Sequence, residues 1–315
     1  MKFRSCRSSG KIANCVATIG AFDGVHRGNQ GLLQQVRCVA DARGMDAVAI
    51  TFGTSPRRVL GMAEAPQLST IDERISLLCQ MGMDDVVMLN FTTQMAAMTA
   101  RDFMQQVLKE QLHVKVLVIG YDHRFGRGRS EGFDDYVNYG REMGIEVIRG
   151  EACLDGGAPI SSTRIRQLLS RGQVDEATLL LGHRYVLHGE VVGGYREGRK
   201  MGFPTANLHV DDTAKLVPAD GVYAVYVNVV DSKSSKINAQ QVGMLNIGYR
   251  PTLNNGQERS IEVHILDFEG DLYGRTVMVE FAHYLRGERT FANIEELTEQ
   301  LQKDKERVKQ LLAKE

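Results

Sequence analysis

The sequence lacks the long apolar run that a membrane span requires. It has no stretch of about 18 or more apolar residues, and its basic N-terminus, MKFRSCRSSGKIANC, has no apolar segment of signal-peptide length. The formal net charge is only −1, so there is no broad field of one sign to collect nucleic acid or an anionic membrane. We therefore predict a cytoplasmic protein that binds small molecules, with no nucleic-acid or membrane partner.

The sequence has few cysteines, and they are not grouped in pairs. The five cysteines are odd in number and widely separated: Cys6, Cys15, Cys38, Cys79 and Cys153. No two of them have the close spacing of a zinc site or a redox dithiol. We expect buried or free thiols in a reducing compartment.

The chain length and composition are those of a two-domain globular protein. It has 315 residues, of which 43% are hydrophobic and 24% charged, and single domains usually hold about 100–200 residues. In the first half, short apolar runs alternate with helical patterns, which is typical of a parallel sheet buried on both faces. The predicted strands are 16–19, 47–52, 85–89, 114–119 and 145–148. In such α/β sheets, ligands bind beyond the carboxyl ends of the strands.

After about residue 184 the hydrophobic period changes to two. The segments 185–192, 222–230, 243–249, 260–266 and 276–285 are strand-like and separated by turn residues. Closely spaced strands of this kind predict a small closed antiparallel barrel. The tail from Asn293 has helical periodicity, and Asn293 with Glu296 resembles a capping box. We place the domains at 1–183 and 184–315.

The loop after the first strand, GAFDGVHRGN, is a candidate phosphate site. Glycines let backbone approach a ligand closely, and the helix that follows presents unpaired N–H groups to an anion. The alternative is an ordinary glycine-rich turn with a surface histidine; the spacing is not the dinucleotide fingerprint G-x-G-x-x-G. The candidate phosphate-binding residues are Gly20, Phe22, Asp23, Gly24, His26 and Gly28.

A second segment, ISSTRIR at 160–166, strengthens this interpretation. Three hydroxyls at a helix start are normally caps, and its arginines alone are normally solvated charges. Together they place hydroxyl, backbone and guanidinium donors around one helix end, which suits a triphosphate. The candidate phosphate-binding residues are Ser161, Ser162, Thr163, Arg164 and Arg166.

The second half contains a long loop, 193–208, that is rich in glycine and basic residues and ends in a strand. By itself it is compatible with a solvated hairpin connection. Thr205 and Asn207 are two apart on an extended segment, so their side chains share a face and can ligate Mg²⁺ through oxygen. Glu262 alternates against Ile261 and Val263 and points to the opposite face, where a routine surface glutamate is the default.

In the first half, TIGAFDGVHRGNQ, GYDHRFGRGR and ISSTRIR resemble the adenylyltransferase half of bacterial bifunctional riboflavin kinase/FAD synthetases. The resemblance implies a Rossmann-like nucleotidyltransferase domain that holds ATP against His26 and the helix start at 161–166. The phosphate-binding residues of both segments then bind ATP, and the candidate catalytic residues are His26 and Asn29. FMN phosphate then attacks the α-phosphate of ATP and releases pyrophosphate, and Asp122 and Phe125 contact flavin. Asn29 stands where the family has its second histidine, which weakens adenylylation as an assignment.

In the second half, GRKMGFPTANL, GVYAVYV, LNIGYRPT, IEVHILDFEGDLYG and YLRGERTF follow in the order seen in riboflavin kinases. This resemblance implies phosphoryl transfer from ATP to riboflavin, with Glu262 as general base and Thr205 and Asn207 on Mg²⁺. The loop 193–202 then covers the nucleotide, and Arg286 closes over flavin. The candidate ATP-binding residues of this loop are Gly194, Arg199 and Gly202.

Three hypotheses follow from the sequence. The first is an enzyme with both activities, using ATP and Mg²⁺ and passing riboflavin through FMN to FAD. The second is a riboflavin kinase whose first domain adenylylates weakly or not at all. The third is a flavin- or nucleotide-binding protein without catalysis. The products formed from riboflavin and ATP distinguish the three.

Overall fold

The computed structural model describes residues 2–6, 14–193, 198, 201–230, 240–251 and 257–313. For 3–5, 250–251 and 257–258 it describes the backbone alone. Contacts divide the chain into two compact units, Met1–Ser162 and Thr163–Glu315. The domain boundary predicted between 183 and 184 lies later in the chain than this division, and it stays a prediction.

The first unit is built on a six-stranded sheet. Its strands are β1 (Lys2–Ser5), β2 (Cys15–Ile19), β3 (Asp46–Phe52), β4 (Asp85–Leu89), β5 (Val114–Ile119) and β6 (Glu146–Arg149). The order across the sheet is β1-β4-β3-β2-β5-β6. Strands β2 to β6 are parallel, which confirms the predicted sheet. Strand β1 was not predicted; it is short, carries Lys2 and Arg4, and pairs antiparallel with β4 at the sheet edge.

Helices cover both faces of this sheet. They are α1 (Arg27–Arg43), α2 (Pro56–Val59), α3 (Ile71–Gln80), α4 (Thr93–Ala97), α5 (Ala100–Phe103), which continues as a π-helical segment (Met104–Gln111), and α6 (Phe133–Met143). Val116 and Val118 of β5 pack with α1 on one face, and Leu117 and Ile119 pack with the π-helical segment on the other. Burial on both faces explains the unbroken apolar strands. The cap of α3 is Thr70, whose hydroxyl accepts from the Glu73 N–H at 3.2 Å.

The prediction of free thiols is wrong for two cysteines. Cys6 and Cys79 form a disulfide between positions 73 residues apart in the chain. The unpredicted strand β1 brings Cys6 to the end of α3, and the Cys6 N–H donates to the Asp84 carbonyl at 3.0 Å. Cysteine spacing alone could not reveal this pairing. The remaining cysteines, Cys15, Cys38 and Cys153, are free thiols, as expected.

The second unit contains the predicted barrel. Its strands are β9 (Tyr185–Val192), β10 (Ala206–His209), β11 (Gly221–Val230), β12 (Gln241–Pro251), β13 (Gln257–Ile265) and β14 (Thr276–Arg286), numbered after a short hairpin of β7 (Leu154–Asp155) and β8 (Ala158–Pro159) in the first unit. The barrel is closed in the order β10-β13-β12-β11-β14-β9. Five of these strands were predicted with their ranges, and β10, the four-residue strand at the end of the long loop, completes the ring.

Three helices accompany the barrel: α7 (Ser162–Leu169), α8 (Val174–Leu181) and α9 (Ile294–Leu312). The Asn293 side chain caps α9 by accepting from the Glu296 N–H at 2.8 Å. Val308 and Leu312 of α9 pack against Ala224 and Tyr226, so β11 is covered outside the barrel as well as inside it. Within the described ranges, no helix is long and apolar enough to cross a bilayer.

Candidate functional site

The loop between β2 and α1 is held in an unusual conformation. Val25 has φ 39° and Phe22 has φ 48°, both in the left-handed region, next to Gly24 at φ 79°. A β-branched residue in this region costs on the order of 1–3 kcal/mol, and such strain concentrates at functional sites. Sequence reasoning noticed the glycines of this loop and missed Val25.

His26 caps the helix that follows the loop. Its Nδ1 accepts from the Asn29 backbone N–H at 3.3 Å, and the side chain is buried. Because Nδ1 accepts, the ring proton of the neutral imidazole resides on Nε2, which makes Nε2 a hydrogen-bond donor. His26 therefore combines a donor side chain with the positive end of α1, as an anion site requires.

Asp23 organises the loop. Its carboxylate accepts from the backbone N–H groups of Leu68 and Ser69 at 2.9–3.1 Å and 3.0 Å. Arg74, also buried, lies 3.9 Å from the same carboxylate, and burial lowers the pKa of its guanidinium. The carboxylate of Asp23 thus anchors the loop to the start of α3, and its assignment to ATP stays a prediction.

The two predicted phosphate segments meet in the first unit. The Ser162 hydroxyl donates to the Asp23 carbonyl at 3.0 Å, and a Cβ at Gly28 would lie 3.1 Å from the Ile160 carbonyl oxygen. Glycine at position 28 therefore permits this close approach. Thr163, Arg164 and Arg166 continue along α7 in the second unit.

Asn29 lies in the first turn of α1, half-buried. Its side-chain Oδ1 is buried and has no hydrogen-bond partner among the described residues. An unsatisfied buried amide oxygen is costly and calls for a partner. A hydrogen-bond donor on a bound ligand can pair with this Oδ1. Alternatively, the side-chain amide can rotate so that its NH₂ group faces a phosphate.

The predicted flavin contacts differ in exposure. Asp122 is exposed, beyond the carboxyl end of β5. Phe125 stacks on Tyr136 with centroids 4.3 Å apart and packs on Phe103 at 5.5 Å, so much of its ring belongs to the core. Between them, sequence reasoning missed His123, whose Nε2 is buried without a partner in the described chain. Burial lowers the pKa of His123 to about 4.

In the barrel, three predicted residues come together. The register places Asn207 opposite Glu262, and Glu262 opposite Asn246 on the next strand. The Thr205 hydroxyl donates to Glu262 Oε2 at 3.0 Å. These four side chains line a cavity of about 540 Å³ on the outer face of the barrel beside α9. Asn246 was missed, because only the strand register reveals that it shares this row.

Two further polar side chains, Arg286 and His264, line the same cavity. Arg286, the last residue of β14, donates through Nε and Nη2 to Asp304 of α9 at 2.9 and 2.8 Å. Both side chains are largely buried, and the Gln300 amide donates to the other Asp304 oxygen at 2.8 Å. His264 follows Glu262 on β13, and its Nδ1 lies 2.8 Å from the Pro204 carbonyl oxygen.

A second cavity, of about 430 Å³, lies on the other side of Thr205. Its lining includes Pro204, Asp271 and Tyr273 together with Thr205 itself. Thr205 is thus common to both cavities. An arrangement with one residue between two spaces suits a reaction in which a group passes from one bound molecule to another.

Part of the loop 193–202 is described. Gly202 has φ 78°, and a Cβ at Gly198 would lie 2.3 Å from the Phe203 carbonyl oxygen, so glycine is required at both. The predicted ATP-binding residues Gly194 and Arg199 lie outside the described residues.

The donor set in the barrel fits a magnesium ion. Thr205 and Asn207 offer hydroxyl and amide oxygens, the ligand type that Mg²⁺ prefers, and the Glu262 carboxylate lies beside them. No cluster of three or more histidine, cysteine, aspartate or glutamate side chains able to hold a metal occurs in the described part of the chain. A softer metal such as zinc therefore has no comparable candidate site there.

Comparison with known proteins agrees with this geometry. A family model for FAD synthetase matches residues 9–164, and one for riboflavin kinase matches residues 181–312. The chain is 38% identical to the bifunctional riboflavin kinase/FMN adenylyltransferase of Escherichia coli K12, covering 92% of this chain and 90% of the relative. It is 32% identical to the protein of the same name from Bacillus subtilis, covering 93% and 91%.

A solved structure extends the similarity to the fold. A crystal structure described as a macrolide-efflux protein from Streptococcus pneumoniae is 33% identical, covers 97% of both chains and has a TM-score of 0.85. That description names a different activity from the curated relatives and family models, which agree with one another. The family matches and the near-complete coverage of the relatives together identify the chain as a member of the bifunctional riboflavin kinase/FMN adenylyltransferase family.

Proposed function

We propose that the chain phosphorylates riboflavin to FMN at the barrel and adenylylates FMN to FAD in the sheet domain, using ATP for both reactions. The observation that carries the kinase assignment is the row of Asn207, Glu262 and Asn246, with Thr205 bonded to Glu262 at the boundary of two cavities. Both family matches support the pairing of activities.

In the kinase reaction, Glu262 is the general base. Its carboxylate takes the proton of the terminal ribityl hydroxyl as that oxygen attacks the γ-phosphorus of ATP. The bond from the γ-phosphorus to the bridging oxygen breaks, and ADP leaves. Thr205 donates to Glu262 at 3.0 Å and so holds the carboxylate at the junction of the cavities. Catalysis depends mainly on this alignment and on neutralising phosphate charge.

Thr205 and Asn207 are the residues that would hold Mg²⁺. Bound there, the ion supplies positive charge that neutralises the phosphate oxygens. Asn207 lies beside Glu262 across the β10–β13 ladder, so ion and base act on the same phosphoryl group.

We assign the two substrates to separate cavities. The space of about 540 Å³ is lined by Phe203, Phe291, Leu297 and Leu301 and suits a flat, largely apolar isoalloxazine ring. Arg286, held by Asp304, lies at its wall, in keeping with a flavin contact. ATP then occupies the neighbouring space of about 430 Å³ beyond Thr205.

In the sheet domain, the FMN phosphate attacks the α-phosphorus of ATP and pyrophosphate leaves. No covalent enzyme intermediate is needed. His26, through its Nε2–H, and the N-terminus of α1 stabilise the charge on the transferring phosphate. The switch in strand order falls between β2 and β5, and both candidate loops, 20–29 and 120–125, follow these strands.

Asn29 lowers the rate of this second reaction in our proposal. An asparagine amide donates one hydrogen bond but cannot carry the charge of a protonated imidazole, and losing one such donor costs about 10²–10³ in rate. A kinase with a slow adenylyltransferase is therefore the second candidate, and Asn29 is the observation that favours it.

Purified full-length protein incubated with riboflavin, ATP and Mg²⁺ tests the proposal. We expect FMN to form first and FAD to follow more slowly, both resolved by chromatography with flavin fluorescence. Formation of FMN without FAD at any enzyme concentration would support the kinase activity and refute the adenylyltransferase activity. Binding of flavin with neither product, and no ADP, would refute both activities.

Two further assignments belong to this proposal. The boundary between the catalytic domains lies near 183/184, which the start of the riboflavin kinase match at residue 181 supports. The protein acts in the cytoplasm on small molecules, without nucleic acid or membrane partners.

A further inference from the structure

His264 is the most buried polar side chain lining the cavity of the kinase site. It is 7% exposed, and its ring packs edge-on against Phe203 with centroids 5.3 Å apart. Nδ1 lies 2.8 Å from the Pro204 carbonyl oxygen. Since a carbonyl oxygen only accepts, Nδ1 carries the proton and donates. Nε2 is then a buried acceptor, and it has no partner among the residues that the structure describes.

The unsatisfied Nε2 makes a purely structural role a poor explanation. A buried imidazole with one orphaned nitrogen opposes folding compared with an apolar side chain of the same shape. The contribution of histidine at position 264 is therefore the hydrogen bond from Nδ1 to the Pro204 carbonyl oxygen.

The Pro204 carbonyl belongs to the same peptide plane as the Thr205 N–H. Residues 203–205 precede β10 and take no part in the strand ladder, which begins with Ala206 opposite Val263. Continuing that register by one residue places Thr205 opposite His264. A hydrogen bond to the Pro204 carbonyl fixes the orientation of the Pro204–Thr205 peptide and hence the direction of the Thr205 side chain.

Strand β13 thus contacts the Thr205 side chain and also the carbonyl of the residue before it. Glu262 accepts from its hydroxyl at 3.0 Å, and His264, two residues along and on the same face, holds the peptide before it. We propose that His264 is a positioning residue of the kinase site, which acts through the Pro204–Thr205 peptide to aim the Thr205 hydroxyl at the metal and phosphates. This inference rests on the proposed kinase function.

Substitutions of His264 that keep its volume but remove or retain its hydrogen-bond donor test this positioning role. His264→Leu fills the space without a donor, whereas His264→Asn places an amide N–H close to the position of Nδ1. His209→Leu is the matched control, because His209 lies on β10 with its side chain 65% exposed. The readouts are kcat and KM for FMN formation, Mn²⁺ binding in the presence of ADP by electron paramagnetic resonance, and riboflavin binding by fluorescence quenching.

We expect His264→Leu to lower kcat about 10- to 100-fold and to weaken Mn²⁺ binding with ADP about 10-fold, a loss of alignment rather than of chemistry. Riboflavin binding, FAD formation from added FMN and the melting temperature should stay close to wild type. His264→Asn should recover most of both losses. If His264→Leu does not fold, His264→Met replaces it as the flexible apolar variant.

The inference is overturned if the apolar variant binds Mn²⁺ and turns over like wild type, or if His264→Asn loses as much as His264→Leu. Failure of the proposed function looks different. In that case the wild-type protein itself forms no FMN, whatever stands at position 264.

Discussion

Replacing the proposed base by its amide, Glu262→Gln, should abolish most FMN formation while leaving the site intact. Glutamine has the same length, and its side-chain oxygen still accepts from the Thr205 hydroxyl that now lies 3.0 Å from Glu262 Oε2. The amide cannot take a proton from the ribityl hydroxyl. General-base catalysis contributes about 10²–10⁴ in rate, which corresponds to roughly 3–5 kcal/mol of transition-state stabilisation. We expect kcat to fall by that factor.

The assay follows FMN from riboflavin and ATP by chromatography, alongside calorimetric binding of ATP with Mg²⁺. ATP binding should change by less than about threefold, because the substitution removes an interaction made only in the transition state. Glu190→Gln is the control, since Glu190 is an exposed residue of β9 on the same barrel. FMN formation within a few-fold of wild type in Glu262→Gln would remove Glu262 from the mechanism.

Three other perturbations test separate parts of the structure. Asn29→His should raise the rate of FAD formation from FMN by about 10- to 100-fold, because it restores a chargeable donor at the start of α1; an unchanged rate would show that Asn29 is not limiting. Cys79→Ser removes the disulfide to Cys6 and should lower the free energy of unfolding by about 2–4 kcal/mol without reductant; equal urea midpoints for variant and wild type under oxidising conditions would contradict the pairing. His123 should make the first domain acid-sensitive, because burial lowers its pKa from 6.5 to about 4. The folded state then binds fewer protons than the unfolded state between these values, so stability is full above about pH 6.5 and falls toward pH 4, by at most about 3 kcal/mol. His123→Phe should flatten that slope in urea unfolding at stepped pH; an identical slope would place the acid sensitivity elsewhere.

Much of the fold was predictable because its elements repeat strong local patterns. Strand β5 reads VKVLVI and is buried on both faces, and β9 and β14 show the period of two expected of a barrel. The strand that was missed has a weak local signal. Strand β1 is short and charged, and it exists because β4 offers it an edge. Strand β10, expected only as the strand that ends the long loop, is four residues long and is fixed by its neighbours on both sides.

The site was predictable where residues lie close in sequence and less so where strand register brings them together. Thr205 and Asn207 are two apart in an extended segment, and the structure joins them to Glu262. Asn246 and His264 reach the same cavity through the ladder and through a backbone carbonyl, which no spacing reveals. The Cys6–Cys79 pairing depends likewise on a tertiary contact.

Isotope transfer tests the central claim, that one chain uses two different phosphates of ATP. Full-length protein is incubated with riboflavin, Mg²⁺ and ATP labelled at either the γ- or the α-phosphorus. The account predicts that γ-label enters FMN and is carried into FAD, and that α-label enters FAD but never FMN. Absence of γ-label from FMN would contradict the kinase site, and FAD without α-label would contradict the adenylyltransferase site.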